Sequence, residues 1–447
     1  MLKTNPNLAL LGVLLTLLST PGTAQNRPPA IENLSCQLVP ASGKVVIRYD
    51  LADKEEKKAK ITLKISDDAG KTFLVNTEAA AGDLGFPVAA GRSKKIVWPY
   101  PGKRDSLRNY VVKLVADDLQ PVNIQSLVDQ VDSTRLKKQL MAVYGNRNHK
   151  NQPGLAHLDA VKQEIRNRFG QSGLTVKRQQ FYHREYQAEN IIGRKAGHDD
   201  EQKTYILCAH YDTQRESPGA DDNASGVAGM LEAMRILSRY NFKHSLVFIG
   251  MDLEEAGLVG SKYYLFNGGV APHEDIEGVV NFDMIGYASN AVNSQIIPDG
   301  FEQIFPEACK FVADDGYRGN FVINAADRYS SPLSRAFNES IRKYRIGLRQ
   351  ITLTADATGE IIPNLANSDH ASFWEVGYKA MHVGDGGETR NVHLDTKNDT
   401  SRLINYAFMR KVTQATVGEL AELAGIQHAN VYYSPIAFPT PKKLTAR

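Results

Sequence analysis

The side chains best suited to chemistry fall just after short apolar runs. His210 and Asp212 follow Tyr205-Ile-Leu-Cys-Ala209. Asp221 and Asp222 lie in Gly219-Ala-Asp-Asp-Asn-Ala-Ser-Gly226, a turn-like string that opens a stretch of helical spacing. Glu254 and Glu255 follow the run through Phe248, and Asp283 follows Val279-Val-Asn-Phe282. Far downstream, Arg390-Asn-Val-His-Leu-Asp395 adds His393 and Asp395. Imidazole and carboxylate groups are ligands for zinc and for harder divalent ions. Taken singly, most have ordinary explanations: a turn and helix cap for the aspartate pair, a solvated face for the two glutamates, an exposed strand end for His210. Asp283 fits such an explanation badly, because an unpaired carboxylate ending a buried strand is costly. Five strand exits that all carry ligands point to one site, since α/β sheets gather their ligands beyond the carboxyl ends of the strands.

This set suits a pair of metal ions. Two zinc ions about 3.5–4 Å apart can share a carboxylate bridge and a bridging water whose acidity rises towards neutrality, making it hydroxide. A free carboxylate beside that water can take its proton and pass it to a leaving amine. Adjacent Glu254 and Glu255 allow this division, because consecutive side chains at a strand end point different ways. One can bind metal while the other handles protons.

The elements that must hold these groups are legible in outline. Residues 31–118 show short strands separated by turn signals: Val45-Val-Ile-Arg-Tyr49, the alternation of Ile61, Leu63 and Ile65, a segment through Phe73, Ile96-Val-Trp98 and Tyr110-Val-Val-Lys-Leu-Val115. Such spacing predicts a β-sandwich. Residues 125–426 change texture. Leu158, Val161, Ile165 and Phe169 mark a helix face, and apolar strands then alternate with helices, the last from about 403 to 423. Residues 427–447 read as a Pro-containing tail, disordered or laid across the surface.

Composition narrows the setting. A formal charge of +3 over 447 residues, with no basic run, gives no support to nucleic acid as a partner. Lys3, the apolar stretch Leu8 to Leu18 and the small residues before Gln25 predict a signal peptide, residues 1–24, cleaved after Ala24. Its apolar run is too short for a comfortable membrane span, so the mature chain is expected in the periplasm or outside the cell. Three widely spaced cysteines do not make a disulfide scaffold.

The region from about Ser126 to Leu423 resembles peptidase family M28, the cocatalytic zinc aminopeptidases, glutamate carboxypeptidases and glutaminyl cyclases. The strings that carry the resemblance are His210-Tyr-Asp212, Gly219 to Gly226, Glu254-Glu-Ala-Gly257, Asn281-Phe-Asp-Met-Ile-Gly286 and Ser368-Asp-His370. It implies an α/β fold, a zinc-exopeptidase-type mixed sheet flanked by helices, here preceded by a small all-β immunoglobulin- or fibronectin-like sandwich whose own partner is unknown. It implies two Zn2+ ions, His210 and Asp283 on one, Glu255 on the other and Asp222 bridging, with Asp221 pointing elsewhere. Glu254 falls at the general base, Asp212 at the position that orients the imidazole, and His370 near the substrate pocket without being a ligand. The family's last ligand is a His four residues before an Asp-Thr pair. Before Asp399-Thr400 that position holds Asp395, with His393 two residues further back, and either side chain could bind. An all-carboxylate second site would tolerate Mn2+ or Co2+. The expected activity is hydrolysis at the free N-terminus of peptides. The alternatives are glutaminyl cyclase-type acyl transfer, carboxypeptidase action, or a non-catalytic binding protein that should have lost ligands this sequence keeps.

Overall fold

The computed structural model describes residues 28–54, 57–100, 109–198, 203–272, 274–355 and 362–437. The expected signal peptide lies outside them. The first strands are β1 (Ala30–Val39), β2 (Lys44–Ala52), β3 (Lys58–Ser66), β4 (Ala81–Gly82), β5 (Gly85–Ala89), β6 (Gly91–Pro99) and β7 (Val111–Asp117). Along β2, Val45, Ile47, Tyr49 and Leu51 are buried, every second residue, as a sheet with one covered face requires. One antiparallel sheet has the order β1-β2-β6-β4, and β3 pairs with β5 and β7 in a second. Both close on one core that contains Trp98. The Trp98 indole is buried and donates to Asn76 O at 3.2 Å. Trp98→Ala is therefore expected to lower stability by about 3–5 kcal/mol, measured as an earlier urea midpoint. The segment Phe73–Val75, expected as a strand, forms only a bridge from Val75 to Ile65. The Asp68 carboxylate takes the backbone N–H and hydroxyl of Thr72 just before it, closing a turn instead.

The remaining strands are β8 (Thr175–His183), β9 (Tyr186–Lys195), β10 (Lys203–His210), β11 (Asn241–Phe242), β12 (Ser245–Met251), β13 (Asp275–Phe282), β14 (Phe321–Asp327), β15 (Arg349–Ala355), β16 (Ala380–Gly384), β17 (Ile426–Gln427) and β18 (Ala429–Pro435). Eight form a mixed sheet, β15-β14-β16-β13-β10-β12-β9-β8. Its centre, β16-β13-β10-β12, is parallel. These strands are apolar almost throughout because helices cover both faces. Leu207 and Ala209 of β10 pack with the helices Gln152–Gln171, Gly226–Leu237, Ser331–Lys343 and Tyr406–Leu423. Ile206 and Cys208 face the other way, towards Tyr264, Val312, Phe373 and Trp374. The three cysteines are unpaired and buried. Because the four central strands run the same way, His210, Asp252, Asp283 and Asp385 emerge at one edge of the sheet. No helix among the described residues is long and apolar enough to cross a membrane.

The reading of residues 427–447 as a tail needs correction. Gln427 belongs to β17, and β18 adds to the sandwich antiparallel to β7, from Ala429 opposite Asp117 to Pro435 opposite Val111. Ile436 enters the sandwich core. The physical reason is the open edge of β7, whose unpaired N–H and C=O groups need a partner. Residues 438–447 lie outside those described.

Candidate metal centre

The site is built from loops that leave the central strands. The chain passes from β10 at His210 through a loop to Gly219, whose φ of +56° suits glycine. It then enters a tight turn, Ala220–Ser225, ahead of the helix at Gly226. Asn223 stitches this turn to the end of β13, donating to Phe282 O at 2.8 Å and accepting from Met284 N at 3.2 Å. Asp221 faces the wall, where its carboxylate accepts from Gly286 N and Asn391 Nδ2, each at 3.0 Å. Asp222 faces the cleft.

His210 Nε2 is the hub. It lies 3.1 Å from Asp222 Oδ1, 3.3 Å from Asp283 Oδ1 and 4.0 Å from Glu254 Oε2. Ligand atoms of His210, Glu254 and Asp283 all fall within 4.8 Å of one another, and those of Asp222, Glu255 and Asp395 form a second such group. Glu254 thus sits among the first set rather than apart from it. Asp395 joins the second set, and His393 is in neither. Residues 391–399 form turns instead of extended chain, and Asp395 has a φ of +57°, so the two side chains do not share a face.

Asp212 braces both sets. One oxygen accepts from Glu254 N at 3.1 Å, the other from Glu255 N at 3.2 Å, and Oδ1 lies 3.5 Å from His210 Nδ1. Both Glu255 oxygens accept from Gln214, from its backbone N–H at 3.0 Å and its side-chain amide at 2.6 Å. His370 stays out of the cluster. It is buried, donates through Nε2 to Leu365 O at 2.8 Å, and meets Trp374 edge-on.

The donor set fits cations. Burial, reinforced by Asp222, pushes Glu255 up to about 9, and burial pushes Asp222 to about 7 in spite of His210 beside it. Burial works against charge on His210, yet Glu254 and Asp283 outweigh it and raise its pKa. Asp222 Oδ1 is buried and makes no hydrogen bond. Crowded carboxylates with an unused lone pair are what a divalent ion relieves.

Several residues that matter here went unread in the sequence. Arg147 is fully buried. It donates to Tyr211 O at 2.8 Å, Gly145 O at 2.7 Å, and Pro218 O and Gly219 O at 3.0 Å, fixing the loop after His210. Burial lowers its pKa to about 10 against the opposing effect of Asp222 and other nearby carboxylates. Asp399 accepts from Asp221 N at 3.0 Å and Asp222 N at 3.1 Å, so the Asp-Thr pair that served as a marker is itself a brace. A cavity of about 170 Å³ adjoins the cleft. Met284 and Leu394, next to Asp283 and Asp395, form part of its wall, and Phe301, Val312, Ile351 and Leu353 make it apolar.

Known proteins agree with this architecture. Chain similarity to the "Probable leucine aminopeptidase" of Arthroderma otae is 24% identity over 372 residues, 80% of this chain and 84% of that protein. The uncharacterized protein YfbL of Escherichia coli K12 is 27% identical over 226 residues, 47% of this chain, and the chain covers 64% of YfbL's own length. Among solved structures, the LapA aminopeptidase of Legionella pneumophila shares the fold, with a TM-score of 0.52 at 21% identity over 68% of this chain and 74% of LapA. The profile of peptidase family M28 matches residues 190–419, from β9 into the last long helix and across every loop of the cleft. The chain belongs to peptidase family M28.

Proposed function

We propose that this chain is an exported metallo-exopeptidase that removes residues from the free N-terminus of peptides. The observation that carries this reading is the pair of ligand groups joined at Asp222, with Glu254 inside the cleft and an apolar cavity beside it. His210 and Asp283 would hold one divalent cation, zinc being favoured by the imidazole, Glu255 and Asp395 a second, and Asp222 both. When bound, the cations polarise the scissile carbonyl and acidify the attacking water. Glu254 accepts that water's proton and returns it to the leaving nitrogen. Asp212 keeps the imidazole and both glutamates in register. His370 acts at a distance, holding Leu365, which lines the cavity.

Charge at the mouth supports an aminopeptidase over a carboxypeptidase. Glu388 lines the cavity and Asp395 is exposed beside it, and both suit a substrate ammonium group. Among the described residues, no Lys or Arg lines the cavity to bind a terminal carboxylate. A cyclase working with one ion would have no use for the second ligand group. The names of the Arthroderma otae and Legionella pneumophila relatives support the same choice.

The test compares peptides with free and acetylated N-termini, including one headed by Gln. Only the free peptides should be hydrolysed, the Gln peptide should yield free Gln, and Leu or Phe at the first position should exceed Asp or Lys by about tenfold or more in kcat/KM. Equal cleavage of acetylated peptides, or a cyclised product, would sink the proposal. Export is checked by N-terminal sequencing of the mature chain, expected to begin at Gln25.

A further inference from the structure

The two ligand groups differ in chemistry as well as position. The first contains the His210 imidazole and lies deeper, with His210 1% and Asp283 5% exposed and Glu254 partly buried. The second, Asp222, Glu255 and Asp395, offers oxygen alone, and Asp395 is exposed. No imidazole of the described residues joins it. His393 is turned into local structure: its carbonyl accepts from Thr396 N at 3.2 Å and Thr396 Oγ1 at 2.8 Å, and its N–H bonds Asn391 Oδ1 at 3.0 Å.

Asp222 distinguishes this group from a patch of surface acid. It is only 9% exposed, and its Oδ1 makes no hydrogen bond although it lies 3.1 Å from His210 Nε2. Asp222 thus belongs to the second group while its Oδ1 lies against the hub of the first. Glu255 is held from behind by both Gln214 donors, which fixes it and weakens it as an electron donor. Nitrogen and sulfur ligands are what select zinc and copper, whereas carboxylate and water sets suit magnesium, calcium and manganese.

We propose that the second group is a hard-cation site that takes Mn2+ from solution, while zinc is retained at His210, so that the working centre is a mixed pair. This rests on the reading of the cleft as a metal centre and adds which ion each half selects. The exposed Asp395 gives the second ion a short route in and out. Occupancy of the second site, and with it turnover, then follows the free concentration of hard divalent ions around the exported protein.

The test counts metal on the mature full-length chain. After exhaustive dialysis against metal-free buffer, mass spectrometry should find close to one zinc per chain. Titration with MnCl2, followed by the electron paramagnetic resonance of free Mn2+, should show one further reversible equivalent. Asp395→Ala should keep the zinc and lose that equivalent. Asp395→His, which supplies a nitrogen, should retain two zinc ions and weaken manganese uptake about tenfold or more. Circular dichroism checks that the variants fold. Two zinc ions retained by the wild type, or manganese uptake untouched by Asp395→Ala, would overturn the mixed pair and leave the metallopeptidase reading standing. A chain that binds neither ion would overturn both.

Discussion

Glu254→Gln is expected to lower kcat about 10²–10⁴-fold, the usual contribution of a positioned general base, with metal content unchanged. The substitution keeps the size of the side chain and removes its ability to accept a proton. The backbone at this position stays anchored, because it is the Glu254 N–H, not the side chain, that bonds Asp212. His210, Asp222 and Asp283 keep their mutual spacing. The measurement matters because Glu254 lies within 4.8 Å of the His210 and Asp283 ligand atoms and could in geometry be a ligand itself. Activity and metal content separate the two roles. Loss of zinc from the variant would make Glu254 a ligand, and full turnover would remove it from the chemistry.

Arg147→Met should destabilise the protein by about 2 kcal/mol or more, since four carbonyls lose this donor at about 1–3 kcal/mol for each one left unpaired, and of the four Pro218 O and Gly219 O keep a second donor, Gly145 N at 3.0 Å and Ala224 N at 3.2 Å. Those carbonyls belong to Gly145, Tyr211, Pro218 and Gly219. Arg147→Lys should recover little, because an ammonium group has three donors and lacks the planar fork that reaches in several directions at once. The guanidinium is also a buried positive charge close to the acidic cleft, where Asp222, Asp399, Asp212 and Glu255 favour its charged form. Urea unfolding of both variants, with metal content measured below the transition, provides the check. A fall of less than about 1 kcal/mol in Arg147→Met would show that water replaces the lost donors.

The cleft residues were legible where chemistry and pattern coincide. Acidic groups and a histidine directly after apolar runs announce strand exits, and parallel strands bring such exits together, so His210, Glu254, Glu255 and Asp283 could be found without coordinates, whereas the choice of Asp222 over Asp221 came from the family resemblance alone. Asp395 and His393 could not be separated, because the choice depends on a left-handed residue in a turn and not on any periodicity. Arg147 stands between Asn146 and Asn148, a context that reads as an exposed loop. Only the folded arrangement of carbonyls around it explains its burial. The strand β14 hides its character for a similar reason: Asn324 interrupts the apolar run, and inside the fold its Nδ2 donates to Asn338 Oδ1 at 3.1 Å. The strand β18 was missed because its partner lies more than three hundred residues upstream.

That distant pairing alters how the molecule can be made and broken. During synthesis β1 to β7 leave the ribosome ahead of the peptidase fold, yet β7 keeps a bare flank until translation has passed Pro435, so the sandwich is completed only after that fold has been made. In the finished protein, the two crossings between the halves lie side by side, where Asp118 and His428 meet at 2.7 Å. A protease that nicks the connection after β7 therefore does not liberate the catalytic part, which stays tethered through the strand it contributes to its neighbour.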